Sequence, residues 1–233
     1  MSNDVSIFNS QTRVTTRRSS ALGEQLKNTV SIHGRRIQTS NKLVFRKMVN
    51  GEQVGDTIRD ELDIIIVSML PEVSRIYYEA KYDPDAEPTL PNCWSNLGTT
   101  PEQAVADRQS ANCANCPQNI KGSGEKGGRA CRFQRRIAVL LAGDTSGDLY
   151  QLNIPAKSLF GKGTGNEHPF ESYVKYLLSN REAPDTVVTK ARYDLDSESM
   201  ELSFSPVRQL TDAEFDLVTS VQQTPEAQRY IHI

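Results

Sequence analysis

Between Asp83 and Ala130 the chain has almost nothing with which to fill a core: Pro, Gly, Asn and Ser dominate, and apolar residues recur at no helical or strand period. Such a stretch cannot bury enough apolar surface to hold one shape unaided. The chain's 4 cysteines lie within it or at its edge, at Cys93, Cys113, Cys116 and Cys131. Cys113-Ala-Asn-Cys116 is a C-x2-C knuckle, and Cys93 and Cys131 bracket it. Four thiolates at this spacing suit a tetrahedral zinc, whose coordination energy stands in for the missing core. An iron–sulfur cluster uses the same kind of ligand set, and disulfides are the third arrangement, disfavoured in a reducing compartment. Four cysteines leave no open coordination position, so zinc here is expected to be structural.

On either side of this stretch the sequence is regular. Thr29 to His33 and Lys42 to Arg46 suggest two strands around a turn and loop at Gly34-Arg35-Arg36. Asn50-Gly51 signals a tight hairpin. Leu62 to Val67 has the length of a buried strand and contains the apolar run Ile64 to Val67, and Arg75 to Tyr82 suggests another strand. Arg136 to Ala142 and Leu149 to Ile154 form a second pair, Thr186 to Tyr193 and Met200 to Ser205 a third. A short helix is expected at Ala156 to Phe160, a longer one from Pro169-Phe170 to Ser179 with Phe170, Tyr173, Val174 and Leu177 on one face, and a last one after the capping box Thr211-Asp-Ala-Glu214. The fold expected is β-rich (α+β): an antiparallel, OB-like or barrel-like sheet carrying the four-cysteine zinc-stabilised insertion, with two or three peripheral helices. The expected organisation is a flexible basic arm at 1–23, one β-rich domain at 24–210 with the insertion at 83–131, and a C-terminal helix and tail at 211–233.

The longest apolar runs fall far short of the roughly 20 residues that span a bilayer, and Met1 to Gln11 lacks the apolar region of a secretory signal. No membrane association is expected, and a reducing cytoplasm is. Net charge is -2, but it is segregated. From Arg13 to Lys47 there are nine bases and one acid, from Lys121 to Arg136 six and one, whereas Ile137 to Ile233 has eight bases against fourteen acids. Basic stretches on an otherwise acidic chain are what a nucleic-acid groove requires; solvated loops are the plainer alternative.

Several motifs point the same way. Tyr77-Tyr-Glu-Ala-Lys-Tyr-Asp-Pro84, Cys93-Trp-Ser95, Gly98-x-Thr100-Pro101, Cys113-Ala-Asn-Cys116-Pro-Gln-Asn119, Gly128-Arg-Ala-Cys131-Arg-Phe-Gln-Arg-Arg136, Leu152-x-Ile-Pro155 and Phe204-x-Pro206-Val207-Arg208 stand in this order. Over roughly Val30 to Leu210 the chain resembles a family of tailed-bacteriophage single-stranded-DNA-binding proteins with a four-cysteine insertion. The resemblance implies binding of single-stranded nucleic acid in phage replication or transcription, in the cytoplasm of the infected bacterial host. Some phage proteins of this class recruit RNA polymerase to DNA, so the alternative function is a transcription regulator acting through protein contacts. Replication proteins are possible partners too, and single-strand binders often self-associate into homo-oligomers.

Read from the residues alone, a sequence-tolerant single-strand binder needs cations for phosphates and flat rings for bases. Arg129, Arg132, Arg135 and Arg136 surround Phe133 after the last cysteine, and Trp94 follows the first; a metal drawing Cys93 and Cys131 together is expected to put both rings among arginines. Tyr78 is a further stacking candidate. Arg35, Arg36, Lys42, Arg46 and Lys47 form the second basic group. The plainer alternative for each aromatic is core packing. Enzymatic activity is not expected: His33, His168 and His232 stand in no metalloprotease or deaminase spacing, and no G-x-S-x-G elbow occurs. Asp60 with Asp63, or Asp194 with Asp196, is the pattern a magnesium nuclease would use, and more often marks turns.

Overall fold

The computed structural model describes residues 34–80, 90–197 and 200–233, with the backbone alone for Lys126. The arm expected at 1–23, the strand expected at Thr29 to His33 and the start of the insertion lie outside the described residues. Eleven strands are found among the described residues: β1 (Arg36–Ser40), β2 (Val44–Val49), β3 (Glu52–Gln53), β4 (Ile58–Arg59), β5 (Glu61–Met69), β6 (Ser74–Tyr77), β7 (Cys93–Ser95), β8 (Arg132–Leu141), β9 (Tyr150–Pro155), β10 (Val187–Tyr193) and β11 (Leu202–Gln209). Three α-helices accompany them: α1 (Phe170–Ser179), α2 (Asp212–Gln222) and α3 (Pro225–Ile231). The protein is thus mostly sheet with a few helices, as expected for a β-rich α+β chain. No helix among the described residues is long and apolar enough to cross a membrane.

The strands form one sheet in the order β11-β10-β5-β8-β9-β1-β2-β3, with β4 paired to β2, and β6 paired to both β7 and β8. The expectation of a purely antiparallel sheet is corrected by β1, which runs parallel to β9, with Arg36 opposite Gln151 and Ile37 opposite Leu152. The turn expected at Gly34-Arg35-Arg36 also gives way, because Arg36 already opens β1. The sheet is therefore mixed, with open ends at β11 and β3.

Both faces of the central strands are buried. Ile64 and Ile66 of β5 join Ile137 and Val139 of β8 in a first core beneath α1, with Phe170, Tyr173 and Leu177. Ile65 and Val67 join Ala138 and Leu140 in a second core beneath α2 and α3, with Val218, Ala227 and Tyr230. This two-sided burial explains why Ile64 to Val67 is apolar throughout rather than alternating. A bulge at Val67 lets Ile66 face Val139 and Ser68 face Ala138, so Val67 and Ser68 both lie on the second side.

The sheet curls on itself at Asp60. That residue has φ 64°, a left-handed conformation that Asp tolerates better than most side chains, and it separates β4 from β5. Its N–H donates to Leu43 O at 3.2 Å, while its carbonyl accepts from Tyr193 N at 2.9 Å. One continuous segment thus pairs with β2 before the kink and with β10 after it. The curl brings Tyr193 of β10 against Phe45 of β2, ring centroids 4.6 Å apart. The Tyr193 hydroxyl donates to Val44 O at 2.8 Å; burial pushes its pKa up to about 12. The Asn50-Gly51 turn joins β2 to β3 with both residues at positive φ, and Thr211 and Glu214 cap α2 reciprocally.

Candidate nucleic-acid interface and cysteine pocket

The insertion is fastened to the sheet through β6. Ile76 stands opposite Trp94 of β7 on one side and Arg132 of β8 on the other; Arg75 stands opposite Ser95 and Phe133. Directly paired residues share a face and successive residues alternate. Trp94, Ile76 and Arg132 therefore lie on one face, while Ser95, Arg75 and Phe133 lie on the other. The expected neighbourhood of Trp94 and Phe133 is thereby divided between two faces. Trp94 is buried, and the Phe133 ring is covered by the Arg75 guanidinium at 4.2 Å and met edge-on by Phe160 at 5.1 Å.

Cys93, Cys113, Cys116 and Cys131 all line one small pocket, shared with Arg75, Trp94 and Ser95 among others. No disulfide joins them; Cys113, Cys116 and Cys131 are buried and Cys93 is half-buried. Their loops are held by Cys113 N–H on Thr99 O and Cys131 N–H on Gln118 O, each at 2.8 Å. The Asn119 amide donates to Cys113 O at 2.9 Å and its carbonyl oxygen accepts from Arg75 at 2.6 Å. Gly98 closes the turn after β7 at φ 69°, where an added Cβ would stand 2.5 Å from Val73 O. Burial pushes the Cys131 thiol up to about 11, against the pull of Arg75, and raises Cys113 too. Arg75 Nε and Ser95 Oγ are buried without a hydrogen-bond partner. Ser95 nonetheless stands near enough to the Cys113 sulfur to lower that thiol's pKa. As placed, no group of three or more His, Cys, Asp or Glu among the described residues has ligating geometry.

The expected basic residues divide sharply. Arg135 is turned inward at 3% exposed, with Nε donating to Glu171 of α1 at 2.6 Å and Nη1 to the Leu70 carbonyl; it takes no part in an exposed groove. Arg35 pairs with Asp148 at 3.0 Å. Lys47 shares the Ile37 and Phe45 side of β1 and β2, the side of the first core. Lys42 and Arg129 are exposed in connections.

Four others, with Tyr78, share one face. Arg132 and Arg136 alternate with inward Phe133 and Arg135 on β8, so they lie on the side of Ala138 and the second core. Arg136 stands opposite Asn153 of β9, Gln151 opposite Arg36 of β1, and Gln38 opposite Arg46 of β2. Arg59 of β4, opposite Val44, joins this face, and two-residue β4 gave no period by which the sequence could have announced it. Tyr78 is 42% exposed and close enough to Arg136 for that charge to lower its pKa against a larger rise from burial. Burial lowers Arg136, whose Nη1 donates to His232 O at 2.6 Å. The Nε atoms of Arg36, Arg46 and Arg136 are enclosed without hydrogen-bond partners. By contrast, Lys190 and Arg192, farther along the sheet, are matched by Glu61, Asp63 and Glu167.

No family model matches the chain, and neither a curated protein nor a solved structure does.

Proposed function

We propose that this protein binds single-stranded DNA, the backbone lying across the face formed by β6, β8, β9, β1, β2 and β4. The observation that carries the proposal is the set of arginines there, Arg36, Arg46, Arg59, Arg132 and Arg136, none of which forms an ion pair among the described residues while the acid-rich end of the same sheet is self-neutralised. Guanidinium groups without an ion-pair partner are suited to phosphates, here with Arg59 and Arg132 exposed and Arg36, Arg46 and Arg136 half-buried, and Tyr78 beside Arg136 offers a ring for stacking. A role in phage replication or transcription extends this from the resemblance. The test is fluorescence anisotropy with labelled single-stranded and duplex oligonucleotides over a salt series. Tight, salt-sensitive binding of the single strand supports the proposal; duplex preference, or co-purification with polymerase without any DNA affinity, refutes it.

The finer fold proposed is a partly closed barrel: β1, β2, β4 continuing into β5, then β8 and β9, with the parallel pair returning to β1. These strands follow one another in chain order, with β3, β6 and β7 outside the ring, a meander rather than the Greek key of an OB-fold.

For the pocket we propose a structural zinc held by Cys93, Cys113, Cys116 and Cys131. Fit rests on ligand type and on two donors that face the pocket: thiolates would accept the hydrogen bond that Arg75 Nε lacks and strengthen the contact of Ser95 Oγ with the Cys113 sulfur. Bound there, the ion supplies a crosslink and no reaction. One equivalent of zinc in protein purified without chelator supports this assignment, while iron with visible absorption replaces it with a cluster.

A further inference from the structure

The arginine face also carries two amides that the phosphate grip does not use. Arg136 stands opposite Asn153 and Gln38 opposite Arg46. Between them, the parallel β9–β1 register sets Gln151 opposite Arg36, and continuing it by two residues brings Asn153 level with Gln38. The four side chains therefore form one row across β8, β9, β1 and β2, arginine at each end and amide at the two central places. At ~4.8 Å per strand the row spans about 14 Å, the length of about four nucleotides stacked at ~3.4 Å. Asn153 is exposed and Gln38 half-buried. Neither amide's side chain has a hydrogen bond among the described residues, whereas Gln151, one step along β9, donates to Tyr230 O at 2.7 Å.

Resting on the proposed single-strand binding, we infer that this row reads bases as well as phosphates, with Asn153 and Gln38 hydrogen-bonding base edges and favouring adenine. An amide offers a donor and an acceptor side by side, which match N6–H and N7 of adenine. In a duplex those groups lie in the major groove; on a single strand laid across the sheet they are open to the amides while Arg136 and Arg46 hold the flanking phosphates. Arginine ends without amides would give a grip blind to sequence, and amides without flanking cations would lack the register to meet successive bases.

The test uses the full chain and two labelled probes of equal length, oligo(dA) and oligo(dT), titrated at several salt concentrations. The wild type is expected to favour oligo(dA) by roughly tenfold for each engaged amide. Because adenine also stacks more strongly on rings such as Tyr78, the deciding comparison is Gln38→Ala/Asn153→Ala. That variant should lose most of the preference while keeping its oligo(dT) affinity, its salt slope and its melting temperature. A wild type without preference, or a double variant that retains it, overturns the base-reading inference and leaves single-strand binding standing. Failure of the wild type to bind either probe removes both.

Discussion

Replacing Arg135 by alanine separates a structural arginine from one proposed to bind DNA, because its neighbour Arg136 faces the opposite way. The Arg135 side chain is 3% exposed and its partner Glu171 20%. Its guanidinium also serves the Leu70 carbonyl and, at 3.4 Å, Glu72 O. Truncation strands a carboxylate and removes a donor from buried carbonyls. Breaking a buried pair from one side costs about 3–5 kcal/mol, and the partial exposure of Glu171 places this case at the low end, about 3 kcal/mol. For a body of this size each kcal/mol shifts Tm by roughly 2–4 °C, so a drop of about 6–12 °C is expected in circular-dichroism melting. At a temperature where both proteins are folded, the Arg135→Ala variant should bind single strands with an unchanged salt slope. A drop under about 2 °C together with weakened DNA binding would refute the inward orientation and the β8 face assignment with it.

Two other perturbations test parts of the fold. Glu214 is held down to about 2 by Arg208 and the Thr211 N–H, below the unfolded carboxylate value of about 4.3. Its stabilising contribution is therefore complete above that value and fades as pH falls towards 2, so the urea-midpoint gap between wild type and Glu214→Gln should shrink over that window; a gap independent of pH contradicts the pairing. Gly98→Ala forces a Cβ towards Val73 O at positive φ and is expected to destabilise by about 1–3 kcal/mol, visible as reduced urea resistance. An unaltered midpoint would show that the turn after β7 is not so constrained.

Local signals in the sequence identified local structure well. Asn50-Gly51, the Thr211-to-Glu214 box and the apolar run at Ile64 to Val67 each produced the expected element, because their physics is contained within a few residues. What the sequence hid was non-local. Nothing near Ile37 announces that β1 runs parallel to β9, and Asp60 looks like an ordinary turn acid rather than the kink that moves one segment from β2 to β10. The spacing of the four cysteines marks them as one group, and they line one pocket. The side chains proposed to bind DNA are harder to read: Arg135 and Arg136 adjoin in sequence, and with both faces of β8 buried further along, the apolar pattern gives no clue to which arginine turns inward. Trp94 went to the interior for the ordinary reason that a large ring beside a small pocket fills space.

The arginine face is tested most directly by the salt dependence of single-strand binding in Arg36→Ala/Arg46→Ala. Each phosphate contact on a single strand contributes about 0.7 to the slope of log K against log salt, so the double variant should lose about 1.4 from the wild-type slope along with affinity, at unchanged melting temperature. A variant that binds with wild-type affinity and slope would contradict the assignment of this face to DNA.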